Sequence, residues 1–378
     1  MIQIGLTTLL KERQELIDGR SIGLITNQTG VDEQLQSNVA LFVERSKCRL
    51  AALFSPEHGI WGSAQDAISI PSGIDGQRQI PIYSLYGETR KPTEDMLKSI
   101  DALVYDIQDV GVRFYTYIST LLLAMEAAAE HHVDFIVLDR PNPIRGDRLE
   151  GNILQPEFKS FVGSHPLPIR HGMTVGELAL LFKTELNLEL QLEIVPMQGW
   201  TRTMWFNQSE LPWVPPSPNM PTLDTAILYP GTCLIEGTNL SEGRGTTKPF
   251  EWLGAPWMDG EELSDTLNRL EMPGVRFRPV HFTPTFSKHA NELCHGVGIH
   301  VIERDFVQPT EIALQLLSTI RHCYPDDFEF RQSFDRLAGT DRLRLALMAG
   351  QSPTEIVQNW QADLDTFASR RSPYLLYS

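Results

Sequence analysis

ALVYDIQDVGVRFYTYISTLLLAMEAAAEHHVDFIVLDRPNP, residues 102–143, reads as strand, helix and strand in succession. ALVY (102–105) is a short apolar run of strand type, residues 116–131 have helical length and composition, and FIVL (135–138) repeats the strand pattern. Two such strands joined by a helix are the unit from which a parallel sheet covered by helices is built.

The same alternation extends outward in both directions. Upstream, SIGLIT (21–26) and LAALF (50–54) are further apolar runs separated by helix-compatible sequence. Downstream, TVGELALLFKTEL (174–186) opens on a Thr with Glu three residues later, as in a capping box, and leads to a strand at 192–195. The expected fold is therefore α/β, with a Rossmann-like parallel sheet domain over 1–203. The stretch 205–221 is rich in Pro and Trp and marks a boundary rather than a helix. Beyond it, helices near 260–270, 310–321 and 354–370 and strands near 275–282 and 296–301 predict a smaller α+β domain over 204–378. A chain of 378 residues, 42% hydrophobic, has ample material for two cores.

Composition narrows the function. Lys and Arg number 32 against 48 Asp and Glu, a net charge of −16, which disfavours duplex nucleic acid or an anionic membrane as the main partner. The longest apolar stretches, such as 120–129, fall short of the roughly 20 residues that span a bilayer. The N-terminal residues lack the pattern of a secretion signal, and the four cysteines (Cys48, Cys233, Cys294, Cys323) are far apart with no CxxC pair. They read as buried small residues in a protein of a reducing compartment, and a cytoplasmic location is the expectation.

In an open α/β sheet, ligands bind beyond the carboxyl ends of the strands. Four polar clusters fall there: Asn27-Gln28, Ser55-Pro56-Glu57-His58-Gly59, Asp106-Ile107-Gln108-Asp109 and Asp139-Arg140-Pro141-Asn142-Pro143. A merely solvated loop accounts equally well for any one of them. Glu57 is the first choice for a catalytic acid, because a cleft carboxyl beside His58 and a turn-forming glycine suits proton transfer, although loop carboxylates commonly cap or solvate. Asp106, Gln108 and Asp109, followed by Arg113, Tyr115 and Tyr117, offer the pairing of carboxylates and aromatic faces found in carbohydrate sites. Asp106 as a helix cap and the tyrosines as core residues are the competing readings. The glycine-rich run 235–247, with Glu236, Asn239, Glu242 and Arg244, either turns the chain or supplies donors to an anion, Arg244 gripping a carboxylate.

Several chemistries lack their motif. There is no GxxxxGK[ST], no GxGxxG opening a helix after the first strand, no HExxH and no GxSxG, so neither cofactor nor metal is expected and a serine nucleophile elbow is missing.

Seven stretches together resemble one family: GLITNQTGV (23–31), FSPEHGIWG (54–62), YDIQDVGVRFYTY (105–117), LDRPNP (138–143), SPNMP (217–221), EGTNLSEGRGTT (236–247) and FDRLAGTD (334–341), with the terminal YLLY (374–377). The family is that of exo-acting β-N-acetylmuramidases, once known only as a domain of unknown function. The resemblance implies a Rossmann-like domain, a smaller C-terminal domain and a cleft between them. It also implies removal of N-acetylmuramic acid from the non-reducing end of peptidoglycan-derived MurNAc-GlcNAc fragments, with Glu57 in the place of the family's catalytic candidate. Asn219 enters the site through SPNMP. The lactyl carboxylate of such a sugar calls for a cation, for which Arg113, Arg140 and Arg244 are candidates. The 2-acetamido group permits substrate-assisted catalysis, with Asp106 or Asp109 orienting the amide; a retaining or inverting pair, with Glu236 or Glu242 as second carboxylate, stays open. A sugar-capture protein and a β-N-acetylglucosaminidase are the alternatives, and the oligomeric state is not readable from the chain.

Overall fold

The computed structural model describes residues 2–65 and 68–378. Strands β1 (Ser21–Thr26), β2 (Arg49–Ser55), β3 (Gly73–Ile74), β4 (Pro81–Ser84), β5 (Ala102–Asp106) and β6 (Asp134–Leu138) arise in the first part of the chain. A short antiparallel pair follows, β7 (Glu150–Ile153) with β8 (Pro168–Arg170), and then β9 (Leu192–Val195). The main sheet has the order β3-β4-β2-β1-β5-β6-β9, parallel throughout except for β3. The 102–143 reading holds: β5 and β6 are parallel neighbours, joined by helix α4 (Tyr117–Glu130).

Alternation along each strand makes two cores. Leu103, Tyr105, Phe135 and Val137 point to the larger one, while Ala102, Val104, Ile136 and Leu138 belong to the other. Helices α1 (Gly5–Glu12) and α2 (Asn38–Arg45) cover the second face. The first is covered by α4, α5 (Val175–Glu185) and much of the C-terminal half. Ten of the fourteen residues of α4 are buried, as befits a helix packed on several sides. The α5 capping box forms as its sequence predicts, Thr174 accepting from the Glu177 amide and Glu177 from the Thr174 amide. The short helix α3 (Glu94–Leu97) leads into β5.

The stretch 205–221 contains no α-helix, only a brief 3-10 turn at Phe206–Ser209. After it come α6 (Leu223–Thr232), β10 (Trp252–Ala255), α7 (Gly260–Arg269), β11 (Val275–Phe282), β12 (Cys294–Val301), α8 (Pro309–Cys323), α9 (Ser333–Ala338), α10 (Arg342–Met348) and α11 (Pro353–Arg371). The second sheet is antiparallel, ordered β10-β12-β11, and α7 packs on it while α6 packs on α8.

The chain then returns to its first half. Helix α11 lies against β7, and beyond it the Leu376 amide donates to Glu177 and the Tyr377 hydroxyl to Asp139 Oδ2 at 2.6 Å, just past the end of β6. Among the described residues no helix is long and apolar enough to cross a membrane. The cysteines depart from their uniform expectation: Cys233 and Cys294 are buried, but Cys48 is half-buried and Cys323, the last residue of α8, is exposed because it falls on the helix's solvent side.

Candidate active site

Strand order reverses about β1, whose neighbours β2 and β5 carry loops that diverge from their carboxyl ends. After β2 the chain turns sharply, the Gly59 amide donating to Pro56 O while His58 and Gly59 take φ of 70° and 79°. Glycine accepts this conformation without cost, whereas His58 is held in it, its Nδ1 lying 2.8 Å from Ala64 O. The turn presents Glu57, only 7% exposed. After β5 the loop runs to Thr116, whose hydroxyl donates to Glu57 Oε2 at 2.6 Å.

These two loops form one wall of a cavity of about 410 Å³, and the C-terminal half supplies the other. Tyr115 stands edge-on to Tyr117 and Tyr229, with ring centroids 4.9 and 5.8 Å apart, and Tyr229 meets Phe250 in the same manner at 4.8 Å. An aromatic lining of this kind suits the C–H face of a sugar. Arg244 sits 5.0 Å over the Phe250 ring, its Nη2 2.7 Å from Glu236 Oε1 and its Nε 3.3 Å from Glu242 Oε1. Glu242 in turn pairs with Lys288 at 2.8 Å; burial lowers the Lys288 ammonium pKa while Glu242 raises it. At the rim, Arg90 stacks on Phe161 at 4.2 Å and on Tyr86 at 5.3 Å.

Of the residues singled out in the sequence, Glu57, His58, Tyr115, Asn219, Glu236 and Arg244 line this cavity. Tyr117 stands behind Tyr115 and donates to Pro216 O, and Glu242 braces Arg244 from behind. Asp109 is buried near Tyr115 and receives the Gly111 amide at 2.6 Å; burial pushes its carboxyl up to about 7.

The remaining candidates are held by the protein itself. Asp106, fully buried, pairs with Arg140 at 2.6 Å and accepts from Asn38 at 2.8 Å, so it is not a helix cap. Arg140 also donates to Val31 O. Gln108 binds the carbonyls of Asp109 and Pro141, Asn27 accepts from Thr29, Asn142 donates to Met173 O, and Asn239 bridges Asp327 O and the Glu329 amide. Asp139 receives Thr174, the Gly176 amide and Tyr377, and burial still moves its carboxyl up to about 7.

Arg113 is the clearest departure from expectation. Its guanidinium donates to Asn152 O, Leu167 O, Leu337 O and Ala338 O, tying α9 to the first half, and burial lowers its pKa to about 9. Neither it nor Arg140 lines the cavity, which leaves Arg244 alone of the three arginines put forward for a sugar carboxylate.

Thr116, Arg90, Phe161, Tyr229 and Arg336 also line the cavity and were not singled out. Thr116 and Arg336 lie inside the quoted runs 105–117 and 334–341, so their neighbourhood was visible although their contacts were not. Arg90, Phe161 and Tyr229 carry no local pattern. A roomier cavity of about 560 Å³ lies between β7 and helices α10 and α11. It contains none of the candidates, and the smaller one, where carboxylates, arginines and aromatic faces converge, is the better active-site candidate.

Comparison with known proteins identifies the family of the chain. A family model described as exo-beta-N-acetylmuramidase NamZ, N-terminal, matches residues 22–224, and its C-terminal counterpart matches 227–377. The chain is 50% identical over 378 residues to the peptidoglycan beta-N-acetylmuramidase NamZ of Bacillus subtilis (strain 168), covering all of this chain and 91% of that protein. Crystal structures of two DUF1343 family proteins from Bacteroides fragilis NCTC 9343 superpose with TM-scores of 0.92 and 0.81, at 39% and 34% identity. Each comparison covers 100% of this chain and 99% of the other.

Proposed function

Since this chain belongs to the exo-β-N-acetylmuramidase NamZ family and is a glycoside hydrolase, we propose that it releases N-acetylmuramic acid from the non-reducing ends of peptidoglycan-derived MurNAc-GlcNAc fragments, with Glu57 as the acid. The observation that carries the assignment of Glu57 is its place in the wall of the aromatic-lined cavity, fixed by the Thr116 hydroxyl at 2.6 Å.

In the mechanism we favour, protonated Glu57 gives its proton to the glycosidic oxygen as the bond to C1 breaks. The oxygen of the sugar's own acetamido group forms the new bond to C1. Water then opens the cyclic intermediate, losing its proton to the Glu57 carboxylate, which restores the acid. Glu236, although paired with Arg244, is the other of the proposed carboxylates that lines the cavity, and it is the first candidate to steady the acetamido nitrogen; neither Asp106 nor Asp109 is part of the cavity lining. All four cysteines are free thiols, which suits a reducing compartment, and a cytoplasmic site of action on imported fragments is part of the same proposal.

The test is hydrolysis of matched chromogenic β-glycosides of N-acetylmuramic acid and N-acetylglucosamine by the wild type and Glu57→Gln. Cleavage of the muramic glycoside alone, falling about 10²- to 10⁴-fold in the variant while the ligand still binds, is expected. Equal cleavage of both sugars points to a broader hexosaminidase. Ligand binding without turnover of either points to a capture protein.

A further inference from the structure

Counting charges in the cavity wall separates its cations. Arg244 is already held by Glu236 and Glu242, and Arg90 is stacked between Tyr86 and Phe161 on a loop. Arg336 lines the same cavity from α9 and has no acidic partner among the described residues. Its neighbour Asp335 does not supply one, because Arg344 holds that carboxylate through Nε at 2.9 Å and Nη2 at 2.8 Å.

The backbone beneath Arg336 is unusually well fixed for so short a helix. Phe334 is fully buried and stacks edge-on with Phe330 at 4.7 Å, and the carbonyls of Leu337 and Ala338 receive the buried Arg113 guanidinium. A cation on a fixed base, in a cavity where Arg244 is paired with two carboxylates and Arg90 is stacked on two rings, is suited to an anionic group on the ligand. A planar guanidinium matches a carboxylate in particular, with two parallel N–H donors.

We infer that Arg336 is the residue that recognises the lactyl carboxylate of the sugar, and so the main source of preference for N-acetylmuramic acid over N-acetylglucosamine. This rests on the muramidase reading for the identity of the ligand. The role is one of substrate selection, and proton transfer at Glu57 does not depend on it.

Calorimetric binding of free N-acetylmuramic acid, its lactyl methyl ester and N-acetylglucosamine to the wild type, Arg336→Gln and Arg336→Lys tests the inference without requiring turnover. Arg336 is exposed, so the substitutions leave the core intact, and circular dichroism verifies it. The expected result is a Kd for the acid raised about tenfold in Arg336→Gln, with partial recovery in Arg336→Lys. The ester and N-acetylglucosamine should bind all three proteins alike. An unchanged Kd for the acid, or an equal loss for acid and ester, overturns the assignment. A wild type that binds the acid no better than N-acetylglucosamine overturns it as well. Failure of the muramidase reading would show separately, as absent cleavage of the muramic glycoside by the wild type.

Discussion

The Thr116 hydroxyl donates to Glu57 Oε2 across 2.6 Å, so the side chain expected to move a proton after β2 is oriented from the loop that follows β5. A carboxyl that must face one glycosidic oxygen gains from having its rotation stopped. Thr116→Val keeps the shape and removes the donor. Its kcat should fall about tenfold with KM little changed, and Thr116→Ser should recover most of the loss. Steady-state kinetics on the muramic glycoside decides this, and an unchanged kcat would remove Thr116 from the machinery.

Arg113 should matter to stability more than to chemistry. It is 1% exposed and serves four carbonyls, two of them on α9. Arg113→Met strands those acceptors in a dry interior, at a cost of about 3 kcal/mol or more. Urea unfolding should show the loss as a lower midpoint. Activity per folded molecule should drop far less than in Glu57→Gln.

Asp109 gives a prediction in pH. Burial moves its carboxyl from 3.8 to about 7, so between roughly pH 4 and 7 the folded chain keeps a proton that the unfolded chain has released. Its contribution to stability is therefore full below pH 4, is lost as pH rises through that window, and is flat above it. Asp139, moved in the same direction, adds a like slope, whereas His171, lowered to about 3 chiefly by burial, acts in the opposite sense between about pH 3 and 6.5. The readable quantity is the difference between wild type and Asp109→Asn. The variant should gain on the wild type by up to about 1.4 kcal/mol per pH unit from pH 4 to 7, measured by denaturant unfolding. A pH-independent difference refutes the assignment of the buried proton.

Tyr377 should behave as a structural residue of the first half. Its hydroxyl donates to Asp139 Oδ2 at 2.6 Å and accepts from the Met197 amide at 3.0 Å. Tyr377→Phe leaves both groups short of a partner and should cost about 2 kcal/mol, seen as a lower Tm. An unaltered Tm would show that water replaces the hydroxyl.

What could be read from the sequence was what depends on near neighbours. Apolar runs located β1, β5, β6 and β9, and the Thr174-to-Glu177 spacing gave the α5 cap, because strand burial and capping are settled within a few residues. The loops after β2 and β5 were placed at the site for the same reason. Side-chain engagement was not legible, since it is decided by partners far along the chain. Asp106 looks like a free carboxylate until Arg140 and Asn38 are folded around it, and Arg113 looks like a ligand-binding cation until Leu337 and Ala338 arrive over 220 residues later. The cavity's far wall was hidden likewise: Arg336 acquires meaning only when α9 is set opposite Glu57.

The return of the tail to Asp139 also has a consequence for biosynthesis. Tyr377 follows Asp139 by 238 positions, so during translation every strand of the large sheet has been made long before the group that closes over the end of β6 exists. Until synthesis reaches the C-terminal tail, Asp139 lacks the donor that Tyr377 supplies. A product that stops short of residue 377 carries its defect in the half that was synthesised first.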